Sequence, residues 1–161
     1  MFEYKSGIGI DAHQLEWGSQ LIIGGVLIPH ELGLLGHSDG DVLVHSIIDA
    51  LLGSLTLGDI GSLFPSEDAS LRGISSMELL KRVDKLRKES NWQVSHVDAT
   101  IIAQKPALSP HIMDMRKNID SVLSIGLSSI NIKATTTDYL GFIGQEQGIA
   151  AMAVVTINRT Q

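Results

Sequence analysis

The chain has 161 residues, 43% of them apolar and 19% charged, with a formal charge of −6 and no cysteine. That is enough chain and enough apolar content for one domain, residues 1–161, with a real core, and it argues against disorder. It also excludes a disulfide framework, a thiolate metal site and, for want of any Lys/Arg stripe, a nucleic-acid surface.

The basic residues between Lys81 and Lys88 alternate with Asp84 and apolar positions, which reads as a solvated helix face. The opening Met-Phe-Glu-Tyr-Lys-Ser has no apolar signal region. No stretch approaches the roughly 18 apolar residues of a membrane span. A soluble, cytoplasmic protein without membrane or nucleic-acid partners is expected.

In chain order, residues 5–12 predict a strand in which Ile8 and Ile10 alternate with glycines. Residues 20–28 predict two short strands around Gly24-Gly25, and Gly33 to Gly36 a loop. From Asp41 to Leu55 the apolar positions follow helical spacing, with Ser38, Asp39 or Gly40 as cap. Residues 59–65 read as a loop and 75–89 as a second helix, capped by Ser75 or Ser76. Trp92 to Gln104 predicts a strand, Pro110 to Ile125 a third helix, and Ile130–Thr135 and Gly148–Asn158 two further strands. This mixture predicts an α+β fold, a mixed β-sheet with helices on one face in the manner of a ferredoxin-like split βαβ. The other sheet face is then expected to be covered by oligomerisation.

The chemistry concentrates in two stretches. Asp11-Ala12-His13 places a carboxylate and an imidazole on one face of a strand. His37-Ser38-Asp39-Gly40-Asp41-Val42-Leu43-Val44-His45 places two more imidazoles around a helix start. Asp11, His13 and His45 would leave an open position on a catalytic zinc. The competing reading of His45 is a helix residue satisfied by Asp41 or Asp49, which share its face; either carboxylate could instead orient a ligating imidazole. His37 and Ser38 stand where a helix N-terminus can hold phosphate, or Ser38 or Asp39 is a plain N-cap. Thr135-Thr136-Thr137-Asp138 can donate to phosphate oxygens and hold a hard cation, or is simply a strand of high β-propensity. His30, His96 and His111 have no ligand-like spacing.

Together these segments resemble one family. Gly9-Ile10-Asp11-Ala12-His13, Ile23-Gly24-Gly25, His37-Ser38-Asp39-Gly40-Asp41-Val42 with His45, Asp49-Ala50-Leu51-Leu52-Gly53, Gly58-Asp59-Ile60-Gly61 with Phe64-Pro65, Ala103-Gln104 with Pro106 and Pro110-His111, and Lys133-Ala134-Thr135-Thr136-Thr137 follow its order and spacing over nearly the full length. The family is 2-C-methyl-D-erythritol 2,4-cyclodiphosphate synthase, of the non-mevalonate isoprenoid pathway.

The resemblance implies a homotrimer with active sites between subunits. It also implies metal-dependent cyclisation of 4-diphosphocytidyl-2-C-methyl-D-erythritol 2-phosphate, a phosphorylated cytidine small molecule, with release of CMP. Zn²⁺ would fall on Asp11, His13 and His45, and a second cation, Mg²⁺ or Mn²⁺, would sit on the substrate diphosphate near Asp138. His37 and Thr136 would be catalytic, stabilising the transition state. Substrate contacts would come from Asp11, Ala12, His13, His37 and Ser38, from Asp59, Ile60, Gly61, Phe64, Pro65, Ser66, Glu67 and Asp68, and from Thr135, Thr136, Thr137, Asp138, Phe142 and Gln145. Ala103, Gln104, Lys105, Pro106, Ala107, Leu108 and Ser109 would form the cytidine pocket.

Three departures from the family's pattern stand out. Asp138 replaces a common Glu, and Ser66 replaces a common Asp. Gln145 replaces an Arg near the trimer axis, so weak or absent binding of a polyprenyl diphosphate there is expected. A metal-dependent phosphohydrolase and a non-catalytic nucleotide-binding trimer are the alternative functions.

Overall fold

The first strand, β1 (Phe2–Trp17), turns its glycines inward and its isoleucines outward. A Cβ on Gly7 would lie 2.0 Å from the Ala50 carbonyl oxygen, and one on Gly9 would lie 1.9 Å from that of Ser46. Only glycine lets a helix backbone come this close to a strand. Ile8 and Ile10 are left about three-fifths exposed, at 60% and 61%.

The computed structural model describes residues 2–160. After β1 come the short strands β2 (Leu21–Ile23), β3 (Val26–Ile28) and β4 (Leu32–Leu34), then helix α1 (Val42–Leu55) and a short helix α2 (Ile60–Leu63). A single 3₁₀ turn (Ala69–Leu71) leads to α3 (Ser76–Glu89) and β5 (Gln93–Ile102). Another 3₁₀ turn (Ser109–His111) opens α4 (Ile112–Leu123), followed by β6 (Ile130–Thr135), a short α5 (Gly141–Gly144) and β7 (Gly148–Thr160).

The five-stranded sheet runs β4-β1-β7-β5-β6. β7 is antiparallel to both β1 and β5, so those two run parallel with β7 inserted between them. This is a split βαβ arrangement. β5 and β6 pair directly in parallel, joined through α4, and make the sheet mixed. β2 and β3 form a separate hairpin whose two-residue turn, Gly24-Gly25, has φ of 60° and 68°. Two positive φ values in a row define the primed turn that matches strand twist, and glycine adopts it without strain.

α1 lies on the glycine side of β1 and on β7, with α3 packed against its other flank. It is buried nearly all round, which explains its near-continuous apolar sequence. The helices cover one face of the sheet. The opposite face carries Tyr4, Ile8, Ile10, Met152 and Val154 exposed.

Several sequence expectations change. The first strand extends well beyond residues 5–12 at both ends, because β7 pairs with it from Phe2 to Gln14. Residues 33–36 are not all loop, since β4 pairs with the end of β1 through Leu15 and Leu34. The supposed loop 59–65 contains α2, capped by Asp59, whose carboxylate accepts from Ser62 N at 2.7 Å. The cap of α1 is Asp41 rather than Ser38, Asp39 or Gly40. The helix predicted from Pro110 starts as a 3₁₀ turn and becomes α-helical at Ile112.

The Lys81 to Lys88 segment is not wholly a solvated face. Asp84 and Arg87 are buried there and paired, Nη2 to Oδ1 at 2.6 Å, and Arg87 Nη1 also donates to the Trp92 carbonyl at 2.9 Å. The remaining Asp84 oxygen takes Lys88 at 2.7 Å. Pairing of this kind is what lets two charges leave water.

Candidate metal centre and flanking clefts

Asp11 and His13 project from β1 to the side on which α1 carries His45. Among the described residues these three form a group able to hold a metal ion. Asp11 Oδ2 lies 3.0 Å from His13 Nε2 and 2.9 Å from His45 Nδ1, and the two nitrogens are 3.3 Å apart.

The far side of each ring is already engaged. His13 Nδ1 is 2.6 Å from the Leu35 carbonyl oxygen, which only accepts, so that nitrogen carries a proton. His45 Nε2 faces the hydroxyls of Ser38 at 3.0 Å and Ser76 at 2.8 Å. Where His45 Nε2 also donates, two ring lone pairs and a carboxylate oxygen converge on one point. Three acceptors pointed at each other repel unless a cation or a proton stands between them. A divalent cation of borderline softness fits this nitrogen and oxygen donor set.

The electrostatics follow. Burial pushes the Asp11 carboxyl up, but hydrogen bonds from His13 and His45 and their charges outweigh it and hold Asp11 well below the usual carboxylate range. The hydrogen bond to Asp11 raises His13 above the ordinary imidazole value, against the opposing effect of burial.

Neither helix carboxylate touches His45, so the expectation that Asp41 or Asp49 orients it is corrected. Asp41 is fully buried and accepts from Gly24 N at 2.9 Å, Gly25 N at 2.7 Å and Val44 N at 3.0 Å. It ties the β2–β3 turn to the start of α1. Burial raises its carboxyl to about 6 despite those three donors. Asp49 accepts from Ile60 N at 2.7 Å and so anchors α2. The residue that does reach His45 is Ser76, at the start of α3. The sequence marks it only as one of two possible helix caps, because the contact spans 31 positions.

A cleft of about 230 Å³ opens beside these three side chains, lined by His37, Ser38, Ile60, Gly61, Phe64 and Ser66 together with Asp11, His13 and His45. His37 Nε2 is 3.2 Å from the Asp68 carbonyl oxygen. Of the other expected contacts on this side, Asp59, Pro65, Glu67 and Asp68 are exposed but do not line the cleft. The Asp59 carboxylate caps α2, and that of Asp68 takes the Ser70 N–H and hydroxyl at 2.9 and 2.7 Å. Ala12 points to the other side of β1, into a groove that also contains Phe142.

A second cleft, of about 390 Å³, is lined by Ala103, Gln104, Lys105, Pro106, Ala107, Leu108 and Ser109 together with Ala134, Thr135 and Thr136. It shares no residue with the first. Its edge is the turn after β6. Asp138 and Tyr139 have φ of 51° and 65° there, two successive non-glycine residues in the left-handed region, and Tyr139 N is held by Gln104 Oε1 at 3.1 Å. The Thr137 hydroxyl is spent on the Leu140 carbonyl at 2.7 Å. Thr136 Oγ1 accepts from Asp138 N at 3.3 Å and keeps its own proton available to a ligand. Asp138 and Gln145 are exposed. Lys133 is drawn off to Asp98 at 2.6 Å. Within one chain the structure therefore assembles the metal cluster with one cleft, and the threonine run with another.

The chain has relatives among known proteins both in sequence and in fold. A profile of the YgbB family matches residues 4–158. The 2-C-methyl-D-erythritol 2,4-cyclodiphosphate synthase of Clostridium novyi (strain NT) is 54% identical over 96% of this chain and 98% of its own length. That of Syntrophomonas wolfei subsp. wolfei is 52% identical over 96% and 99%. Among solved structures, the bifunctional IspDF from Campylobacter jejuni superposes with a TM-score of 0.95 at 40% identity over the whole of this chain, which spans 44% of that one. A CDP complex of IspF from Plasmodium falciparum gives 0.86 at 34% identity over 98% of this chain and 97% of its own. Matched along nearly all its length in sequence and in fold, the chain belongs to the YgbB family.

Proposed function

We propose that the chain cyclises 4-diphosphocytidyl-2-C-methyl-D-erythritol 2-phosphate to 2-C-methyl-D-erythritol 2,4-cyclodiphosphate, releasing CMP, in isoprenoid precursor synthesis. The observation that carries this reading is the convergence of Asp11, His13 and His45 beside a cleft, in a chain more than half identical to synthases of that name.

The reaction joins two ends of one substrate. The 2-phosphate oxygen attacks the β-phosphorus, and the bond to the CMP oxygen breaks. The attacking group comes from the substrate, so the residues need only hold, align and neutralise. Asp11, His13 and His45 would hold Zn²⁺, and Asp138 would approach Mg²⁺ or Mn²⁺ on the diphosphate. When bound, these ions supply Lewis-acid polarisation of phosphoryl oxygens and offset the charge gathering on the leaving group. His37 and Ser38 face the metal-side cleft and would donate to phosphate oxygens. Ile60, Gly61, Phe64 and Ser66 would enclose the methylerythritol portion. The 103–109 cleft would take cytidine; that the Plasmodium falciparum relative forms a CDP complex supports a cytidine nucleotide as part of the substrate. Thr136, on the edge of that cleft, would donate to the diphosphate with the proton it keeps free.

Acting as one domain, the chain would need a neighbour to bring the two clefts together. A homotrimer with sites between subunits meets that need and covers the apolar sheet face of Ile8, Ile10, Met152 and Val154. Among the described residues no helix is long and apolar enough to cross a membrane. The loss of positive charge at Gln145 argues against tight polyprenyl diphosphate binding at the trimer axis.

Following substrate by ³¹P NMR tests the chemistry. The expected products are a cyclic diphosphate and CMP. Ring-free phosphate would mark a hydrolase, and no turnover a binding protein.

A further inference from the structure

We infer that Ser76, held by Asp39, is a positioning residue that fixes the ring of His45 so that Nδ1 is offered to the metal. The inference rests on the reading of Asp11, His13 and His45 as a zinc site.

Ser76 begins α3 and is fully buried. Its hydroxyl makes two contacts. It donates to Asp39 Oδ1, and it meets His45 Nε2 at 2.8 Å. A serine hydroxyl has one proton, and here Asp39 takes it. What Ser76 presents to His45 is therefore a lone pair, and Nε2 must be the donor. The opposite nitrogen, Nδ1, then carries the lone pair that faces Asp11 and His13.

Asp39 is itself pinned by the start of that helix and the residues leading into it. Its second oxygen accepts from Ser76 N at 2.9 Å, and its own N–H donates to the Ile74 carbonyl at 3.2 Å. The carboxylate thus caps α3 from outside the helix while orienting the hydroxyl, and α3 is built into the ligand set through one side chain. Ser38 also reaches Nε2, at 3.0 Å, but it is only half-buried and lines the substrate cleft. A substrate phosphate arriving there can take the Ser38 hydroxyl without disturbing Ser76.

The test uses the full chain loaded with zinc. Chelator competition on wild type, Ser76→Ala and Ser38→Ala gives zinc affinity, and the melting temperature of each chelator-stripped protein reports packing. Ser76→Ala is expected to bind zinc about 10- to 100-fold more weakly, the usual effect of removing a partner behind a ligand, and Ser38→Ala less so. Imidazole ¹⁵N spectra of the zinc-loaded wild type are expected to show His45 protonated on Nε2. A proton on Nδ1 instead would overturn the inference, whether or not any variant folds. So would a Ser76→Ala affinity within about twofold of wild type, or a larger loss for Ser38→Ala. A wild type that takes up no zinc would sink the zinc reading itself, and this inference with it; wild-type zinc binding with an unaffected Ser76→Ala would sink this inference alone.

Discussion

His13 donates its Nδ1 proton to the Leu35 carbonyl at 2.6 Å, which commits its Nε2 lone pair to the space shared with Asp11 and His45. Leu35 lies just past β4, so a strand of three residues sets the orientation of a candidate metal-binding imidazole on β1.

The first prediction concerns that ligand set. His13→Ala and His45→Ala should each abolish zinc retention and cyclisation. His13 is half-buried and His45 buried, and both line the cleft, so the stripped variants should lose about 1–3 kcal/mol of stability and still fold. Metal analysis checks it. One zinc per chain retained by either variant would mean that the ligands are elsewhere.

The second is a pH dependence. In stripped protein the proton shared in this cluster competes with zinc. His13 has a folded value raised above its ordinary 6.5, so its contribution to the stability of the stripped chain is complete below 6.5 and is lost as pH rises through the folded value. Asp11 is depressed, so its contribution is present above 3.8 and is lost as pH falls. Zinc needs His13 neutral and so gains as pH rises. The difference in melting temperature between zinc-loaded and stripped protein should therefore widen from about pH 6 to about pH 8. Asp41, raised to about 6 by burial, titrates in both forms and cancels in the difference. A gap that narrows over this range would contradict the cluster.

The third concerns Thr136. Its proton is free and its side chain lies on the edge of the 103–109 cleft. Thr136→Ala should lower kcat by roughly 10²–10³-fold, the scale of one lost oxyanion donor, with a smaller change in CMP binding. An unchanged kcat would remove it from the reaction.

How much of this was legible in the sequence depends on whether residue type alone marks the partner. Asp11 and His13 are two apart on a strand, but His45 joins them across 34 and 32 positions, so local period offered only the pair, and the candidate trio rested on residue type and on the family resemblance. Ser76 and Leu35 act across 31 and 22 positions, and nothing local in either residue announces its partner. Asp41 and Asp49 show the opposite error. Helical spacing put them beside His45, yet backbone N–H groups of the β2–β3 turn and α2 claimed them, because buried donors must be satisfied. The strand at Leu32–Leu34 was missed because Gly33 looks like a loop residue. It is glycine because a Cβ there would stand 2.3 Å from the Ser19 backbone.

The fourth prediction follows from Asp41. Truncation to Ala leaves the N–H groups of Gly24, Gly25 and Val44 without their acceptor and uncaps α1. A loss of about 2–5 kcal/mol is expected in urea unfolding. Asp41→Asn should recover part of it, since one oxygen still accepts while the amide meets an N–H head on. A variant as stable as wild type would show that water reaches these groups.

The last concerns the close approach of β1 to α1. Gly9→Ala adds a methyl whose carbon would lie 1.9 Å from the Ser46 carbonyl oxygen and 2.7 Å from Ala50 N, both main-chain atoms that cannot rotate away. The helix must lift from the strand. His45 on that helix would then leave Asp11, two residues along from Gly9 on the strand. Gly9→Ala should therefore cost at least about 2–3 kcal/mol of stability and weaken zinc binding as well, though it touches no ligand. Gly53→Ala is the control: it lies on the same helix, where an added Cβ would meet only Gly7 Cα at 3.9 Å, and both properties should stay close to wild type. If Gly9→Ala melted and bound zinc like Gly53→Ala, the packing of α1 on β1 would not be what sets the metal geometry.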